Sequence, residues 1–336
     1  MAMRIRGGAP ALALIALTQA AACGRNDSIP DTPPKVAVVA KSLGNGFFDA
    51  VRKGAEEAAT ELGVQLIFTG PPTPTAEGQI EVLNALVAQR VDAIAVSAND
   101  PDALVPVLRR AAQRGIKVLS YDSAVDPAGR IVHLSPSSDA LIGTTCVELA
   151  AEVAPNGAGK IAVVSATPTS TNQNLWLAEM KKALGAFPRL ELVDVVYGDD
   201  VSDKSYRETI ALLKRHPDLV AIVSLSSVGI VAAARAVQDQ DRAGEVKVTG
   251  LGLPAELAGY VKSGVVPKFA IWNPIDLGYT TMQVAAALTR GEVSGPSTRI
   301  AAGRMGEITF GADGVGAMAR PTIYDRNNVD AFATVF

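Results

Sequence analysis

Histidine, tryptophan and cysteine each occur only twice in this chain of 336 residues, and aromatic residues make up 5% of it. His133 and His216 stand apart, with no carboxylate or serine in motif context, and they read as structural or exposed rather than catalytic. No GxSxG, HExxH or P-loop is present, and no GxGxxG follows the first strand. An enzyme is therefore not expected, and neither a metal nor a cofactor is implied. The net charge is −3 and there is no basic run, which argues against nucleic acid as a partner. The leading apolar stretch, Ala9 to Ala22, falls short of the roughly 20 residues that span a bilayer.

That stretch follows Arg4 and Arg6, giving the layout of a cleavable signal peptide over residues 1–22. Cys23 comes directly after three alanines and resembles the lipobox cysteine of bacterial lipoproteins, whose thiol is diacylated. Ala20 stands where such motifs usually carry leucine, so an ordinary secretory leader cleaved nearby is the alternative. Residues 24–34 are polar and proline-containing, which makes 23–34 a flexible tether, lipidated if Cys23 is. The chain is thus expected outside the cytoplasm, in the periplasm or on the outer face of the membrane, held there by a lipid on Cys23. Cys146 is then left without a disulfide partner and reads as a small buried apolar residue. An exported chain without disulfides must rely on its core.

What is present is apolar. Hydrophobic residues make up 48% of the chain against 19% charged, and roughly 300 residues beyond the tether call for two lobes. Short apolar runs recur at Val36–Ala40, Val64–Phe68, Ala93–Ser97, Lys117–Tyr121 and Ile131–Leu134. They recur again at Lys160–Ser165, Glu191–Tyr197, Ala221–Ser224, Lys247–Gly250 and Lys268–Trp272. They are continuous rather than alternating, as parallel strands covered on both faces require. Between them lie segments of helical spacing: Phe48–Leu62, Ala76–Gln89, Asp100–Arg114, Asn174–Leu184, Lys204–Lys214, Gly229–Gln238, Pro254–Lys262 and Leu277–Thr289. Cys146 sits in a further helical stretch. The fold class is α/β, with two doubly wound parallel-sheet lobes. Residues 35–136 with 274–300 are assigned to the N-terminal lobe, and 137–273 with 301–336 to the C-terminal lobe. Several crossings between lobes would form a hinge able to close on a ligand.

In such sheets ligands bind beyond the carboxyl ends of the strands, so the residues there are the candidates. The first lobe offers Lys41, Asn45, Phe47, Asn99, Asp100 and Asp122. The second offers Asn172, Gln173, Trp176, Ser226, Ser227, Trp272, Asn273 and Asp276. Carboxylates and amides bond vicinal hydroxyls, ionised partners most strongly, and flat aromatic faces cover the C–H side of a pyranose. This is chemistry for a sugar. Plainer roles stand beside it. Phe48 begins a helical stripe and would serve the core, Asp100 and Asn99 would cap a helix, Asp122 would make a structural ion pair, and Lys41 would be solvated. Lys41 and Asp122 would compensate each other if both face one cleft.

From about Lys35 onward the chain resembles periplasmic sugar-binding proteins of ABC importers, of the ribose-binding type (type I periplasmic binding proteins). The segments that carry the likeness are Val36-Ala-Val-Val-Ala-Lys41-Ser-Leu-Gly-Asn-Gly-Phe-Phe-Asp49, Thr69-Gly-Pro-Pro-Thr-Pro-Thr-Ala-Glu-Gly-Gln79 and Val96-Ser-Ala-Asn-Asp-Pro-Asp-Ala-Leu104. Thr249-Gly-Leu-Gly-Leu-Pro254 and Ile271-Trp-Asn-Pro-Ile-Asp-Leu-Gly278 look like the rhamnose-binding branch, a relative of the autoinducer-2 receptor. By resemblance, Lys41, Asp122, Asn172 and Gln173 occupy ligand-contacting positions of that receptor. Asn172 replaces its usual aspartate, and the loop with Leu225 and Ser227 lacks its proline and alanine. The ribose pattern is broken where Ser123 replaces an arginine. The resemblance therefore implies a monosaccharide, L-rhamnose or a similar deoxyhexose first and autoinducer-2 second. It also implies a membrane permease as partner and a monomer. A transcription regulator of the same fold would need a helix-turn-helix where the leader stands.

Overall fold

The structure is a computed structural model that describes residues 1–2, 32–293 and 295–336. The expectations for the leader, for Cys23 and for most of the tether lie outside the described residues.

The chain alternates from its first element: β1 (Lys35–Val39), α1 (Gly46–Leu62), β2 (Gln65–Thr69), α2 (Ala76–Gln89), β3 (Ala93–Val96), α3 (Val105–Gln113), β4 (Lys117–Tyr121) and β5 (Val132–Ser135). The second half continues with α4 (Asp139–Val153), β6 (Gly159–Ser165), α5 (Thr171–Ala183), β7 (Leu190–Tyr197), α6 (Ser202–Arg215), β8 (Leu219–Ser224), α7 (Ser227–Asp239), β9 (Lys247–Gly250), α8 (Pro254–Ser263) and β10 (Phe269–Ile271). It closes with α9 (Pro274–Thr289), β11 (Arg299–Ala301), β12 (Glu307–Thr309), β13 (Val315–Ala317), β14 (Thr322–Tyr324) and α10 (Val329–Phe332).

Local chemistry sets these boundaries. The Asn45 side chain accepts from Phe47 N to start α1, and Gly63, at φ 63°, ends it in the left-handed conformation. The buried stripe of α1 is Phe47, Phe48, Val51, Ala55, Ala58 and Ala59. α3 begins at Val105 rather than at Asp100, because Asp100 Oδ1 takes the amides of Asp102 and Ala103 in a turn and Pro106 opens the helix.

Six strands form the first sheet, in the order β2-β1-β3-β4-β5-β13 and parallel throughout. The second sheet is β7-β6-β8-β9, again parallel. In each, the order reverses beside the sheet's first strand in sequence, β1 or β6, which opens a crevice at the carboxyl ends.

Two expectations are corrected. The run at Lys268–Trp272 does not extend the second sheet in full. β10 is three residues long and pairs antiparallel with β14, touching the end of β9 only through a bridge between Leu251 and Ala270. The tail 301–336 does not belong wholly to the C-terminal lobe either. β13 adds to the free edge of β5, with Gly316 opposite Leu134, and only then does the chain reach β14. Both strands are too short to carry a periodic signal. The chain thus passes between lobes after β5, after β10 and after β13.

α9 follows the second of these passages and packs against α1 and the first sheet. The two helices approach at glycines on both sides. A Cβ on Gly54 would lie 1.8 Å from Ile275 O, and one on Gly278 would lie 1.9 Å from Val51 O. Apart from Asp276, residues Pro274 to Leu288 of α9 are all buried, so the helix forms the spine of the first lobe.

Candidate functional site

The carboxyl ends of the two sheets face each other across a cavity of about 410 Å³ of atom-free space, its opening included. The first lobe lines it with Lys41, Asn45, Phe47 and Phe48 after β1, and with Asp122 after β4. The second contributes Asn172, Gln173 and Trp176 from α5, Asp200 after β7, Leu225, Ser226 and Ser227 after β8, and Leu251 after β9. Ile271 and Trp272 come from the β10 passage.

One wall is polar and continuous across the lobes. Lys41 Nζ donates to Ser170 Oγ at 2.8 Å and to Asn172 Oδ1 at 3.2 Å. Asn172 Nδ2 donates to Asp122 Oδ1 at 3.1 Å, and Ser97 Oγ donates to Asp122 Oδ2 at 2.7 Å. Lys41, Asp122, Asn172 and Gln173 are all between 4% and 6% exposed, so these groups have traded water for one another. Burial pushes the Asp122 carboxyl above the ordinary aspartate range. The Lys41 ammonium and the hydroxyl of Ser97 act the other way, as does the Asn172 amide, and Asp200 adds to the rise. Asp122 also holds a left-handed backbone at φ 57°, which aspartate and asparagine tolerate better than most residues. Gln173 Oε1 accepts from Ser165 Oγ and from the Ala166 amide, which turns its NH₂ end away from the strand with no partner among the described residues.

The other wall is aromatic and aliphatic. Phe47 meets Phe48 edge-on at 5.2 Å and Trp272 at 6.1 Å, and Trp272 meets Trp176 at 5.5 Å. Trp176 Nε1 donates to Asp139 Oδ1 at the start of α4, fixing the indole. Phe48 serves both the core and the cavity, so its helical-stripe reading was incomplete.

Four sequence candidates do not line the cavity. Asn99 lies one layer behind it, where its Nδ2 donates to the carbonyls of Lys41 and Thr75 and its amide meets Gln79 Oε1. Asp100 forms the turn before α3. Asn273 caps α9 by accepting from Ile275 N, and Asp276 pairs with Arg304 at 3.0 Å. In each case backbone or ion-pair partners claim the side chain. Asp200 also lines the cavity and is not among the sequence candidates.

Further contacts hold the lobes together. Thr169 Oγ1 donates to Asn99 O at 3.1 Å, and Thr171 Oγ1 donates to Ala124 O at 3.0 Å. With Ser170 receiving Lys41, three successive residues of the second lobe reach the first. The cleft is closed.

Two parallel-sheet lobes shut over a buried polar and aromatic cavity are the architecture of type I periplasmic binding proteins. Residues 36–292 match the periplasmic binding protein domain family, and the chain belongs to it. An ABC transporter solute-binding protein from Clostridium phytofermentas, with bound L-rhamnose, is 33% identical, covers 91% of this chain and 99% of its own, and superposes with a TM-score of 0.87. The D-ribose/D-allose-binding protein of Pseudomonas aeruginosa is 30% identical over 70% of this chain and 76% of its own. LsrB of Clostridium saccharobutylicum, in complex with AI-2, has a TM-score of 0.84 over 89% of this chain and 99% of its own. It is 23% identical, which speaks to the fold alone. Among the described residues no helix is long and apolar enough to cross a membrane.

Proposed function

We propose that this protein is the extracytoplasmic receptor of an ABC sugar importer and that it takes L-rhamnose or a similar deoxyhexose. The observation that carries this reading is the two-sided cavity. The polar chain Lys41–Asn172–Asp122 faces a wall of Phe47, Trp176 and Trp272, with Leu225, Leu251 and Ile271 beside it. Hydroxyls would exchange hydrogen bonds with the polar chain. The C–H face would lie on the aromatic rings, and a deoxysugar's methyl group would meet the aliphatic side chains. The likeness to a rhamnose-bound protein at 33% identity supports the same ligand.

Sugar would bind one lobe first, and the second would then close over it. A ligand shifts that equilibrium only by the contacts it gains in the closed form. The closed monomer would dock on its membrane permease. Export by the segment 1–22 and diacylation of Cys23 belong to the same reading. A Cys23→Ser protein should leave the membrane fraction.

The deciding experiment is a thermal-shift and calorimetry panel of L-rhamnose, L-fucose, D-ribose, D-allose, D-xylose and autoinducer-2. A ligand at a thousand times its Kd stabilises the folded form by about 4 kcal/mol. L-rhamnose should give the largest shift. A larger one from D-allose, D-ribose or autoinducer-2 would replace rhamnose as the ligand, and no shift from any of them would overturn the receptor reading.

A further inference from the structure

Asp200 is the carboxylate that the second lobe brings to the cavity, opposite Asp122 of the first. We propose that Asp200 determines specificity, its carboxylate accepting a sugar hydroxyl from the second lobe and, with Asp122, excluding sugar acids and sugar phosphates. The proposal rests on the sugar-binding reading above and adds a residue and an excluded ligand class to it.

The loop after β7 is built to present this side chain. Gly198 N and Asp199 N are tied to Ser165 O and Ala166 O. Asp199 and Asp200 then both take positive φ, 55° and 52°, uncommon for two successive non-glycine residues. An aspartate just before a helix normally caps it. Here α6 starts at Ser202 without any side-chain cap, and Asp200 turns instead to the head of α7, where Ser226 Oγ donates to its Oδ1. Ser226 Oγ in turn accepts from Gly229 N. The serine hydroxyl is thereby committed to capping α7 and orienting the carboxylate. Asp200 Oδ2 has no partner among the described residues. A non-glycine pair held in an unfavoured conformation, aiming an acceptor into a cavity, marks a functional role rather than a structural one.

Charge gives the second half of the argument. The cavity wall carries one ammonium, Lys41, and two carboxylates, Asp122 and Asp200. The Lys41 ammonium is already shared between Ser170 and Asn172. The nearby Lys204 pairs with Asp199, outside the cavity, and leaves Asp200 uncompensated within its own lobe. A neutral sugar can donate hydroxyls to both carboxylates. A uronate or phosphate would set a further negative charge against them where little water remains to screen it, and rejecting the wrong ligand by repulsion is an effective source of specificity.

The test is calorimetry on the mature chain with the neutral sugar it binds best, followed by competition with millimolar D-galacturonate. Asp200→Asn should lower the neutral-sugar affinity roughly 10- to 100-fold, the loss expected for a hydrogen bond to a charged acceptor. It should also let galacturonate displace the neutral sugar, which it does not do in the parent. Asp200→Glu keeps the charge and alters the reach. It should weaken the neutral sugar while still refusing galacturonate. Asp203→Asn removes a charge three residues away, exposed in the first turn of α6 and outside the cavity, and should bind as the parent does. Equal affinity of the Asp200→Asn and parent proteins, or displacement of the sugar from the parent by galacturonate, overturns the assignment to Asp200 alone. A parent protein that binds no neutral sugar overturns the receptor reading, and this one with it.

Discussion

The amide of Asn172, from the second lobe, lies between the two opposite charges of the first: its Oδ1 takes Lys41 Nζ at 3.2 Å and its Nδ2 gives to Asp122 Oδ1 at 3.1 Å. Closing the cleft therefore slots a neutral dipole, correctly oriented at both ends, between a buried ammonium and a buried carboxylate. Neither charge is left without a partner, which is the condition under which buried ions are tolerated. An aspartate at 172 would instead oppose Asp122 across the same short gap. The asparagine matches a cleft that shuts through protein contacts as well as through ligand.

Asp122 should show a conflict between stability and binding. Its carboxyl pKa is raised in the folded state, burial being the largest cause. The folded form therefore holds the proton more tightly than the unfolded one, and this group's contribution to stability rises as pH falls from neutral through that raised pKa, opposing the contribution of the buried His133. Asp122→Asn makes the group neutral at every pH and suits the left-handed backbone. Its amide can still meet Ser97 and Asn172, since the serine hydroxyl can reverse its role. The expected outcome is a Tm at pH 7 equal to or above the parent's, a larger loss of stability on acidification than the parent shows, and a sugar affinity lowered at least 10-fold. Melting curves at two pH values and calorimetry check it.

Thr169 and Thr171 reach carbonyls of the other lobe and do not line the cavity. Each bond is worth about 0.5–1.5 kcal/mol. Thr169→Ala with Thr171→Ala should thus weaken binding of every sugar by the same factor, roughly 5- to 150-fold by that range, and leave the ranking of sugars unchanged. Calorimetry with two different ligands decides the matter. A change in ranking would mean the pair touches the sugar, and no change in affinity would mean the bonds do not favour closure.

The alternation of strands and helices was legible in the sequence because buried parallel strands need unbroken apolar runs and covering helices need a spaced stripe. The candidate cavity was legible for a related reason. Lys41, Asp122, Asn172 and Gln173 directly follow or head elements that the periodicity marked. What failed to show was long-range pairing. Asp276 looked free to meet a ligand, but Arg304, 28 residues further on, claims it. Asn273 read as a sugar-binding amide, although the proline after it made a helix cap equally natural. Asp200 was hidden for the opposite reason: nothing in Tyr-Gly-Asp-Asp-Val reports that two successive left-handed residues turn one aspartate inward. β13 and β14 carry three residues each, too few for any period to emerge.

His133 should make the protein acid-sensitive. It is buried on β5, with Nδ1 2.9 Å from Ser120 Oγ. Burial, reinforced by Arg130, lowers its pKa to about 3, and Asp313 opposes the shift. In the unfolded chain an ordinary histidine takes its proton near pH 6.5. Stability from the neutral imidazole is thus complete above that value and is lost as pH falls toward about 3. Between pH 7 and pH 5 the loss is about 2 kcal/mol. Urea unfolding at the two pH values should show it, and His133→Gln should reduce the difference by that amount. An unchanged pH dependence would mean another group is responsible.

Gly278 fixes where α9 begins, and with it Trp272. A Cβ there would lie 1.9 Å from the carbonyl of Val51, and backbone cannot swing aside as a side chain can. Gly278→Ala must push α9 away from α1, at a cost of about 2–3 kcal/mol by analogy with overpacked cores. Gly259, exposed on α8, supplies the contrast. Nothing lies within 4 Å of its added Cβ, so Gly259→Ala should gain about 0.5–1 kcal/mol from helix propensity. The two alanines differ only in what surrounds them. Because Trp272 and the capping Asn273 lead directly into α9, the Gly278 variant should also lose sugar affinity, whereas the Gly259 variant should keep it. Equal stabilities for the two proteins would show that α1 and α9 yield to a methyl group, and that the aromatic wall is not held by their close approach.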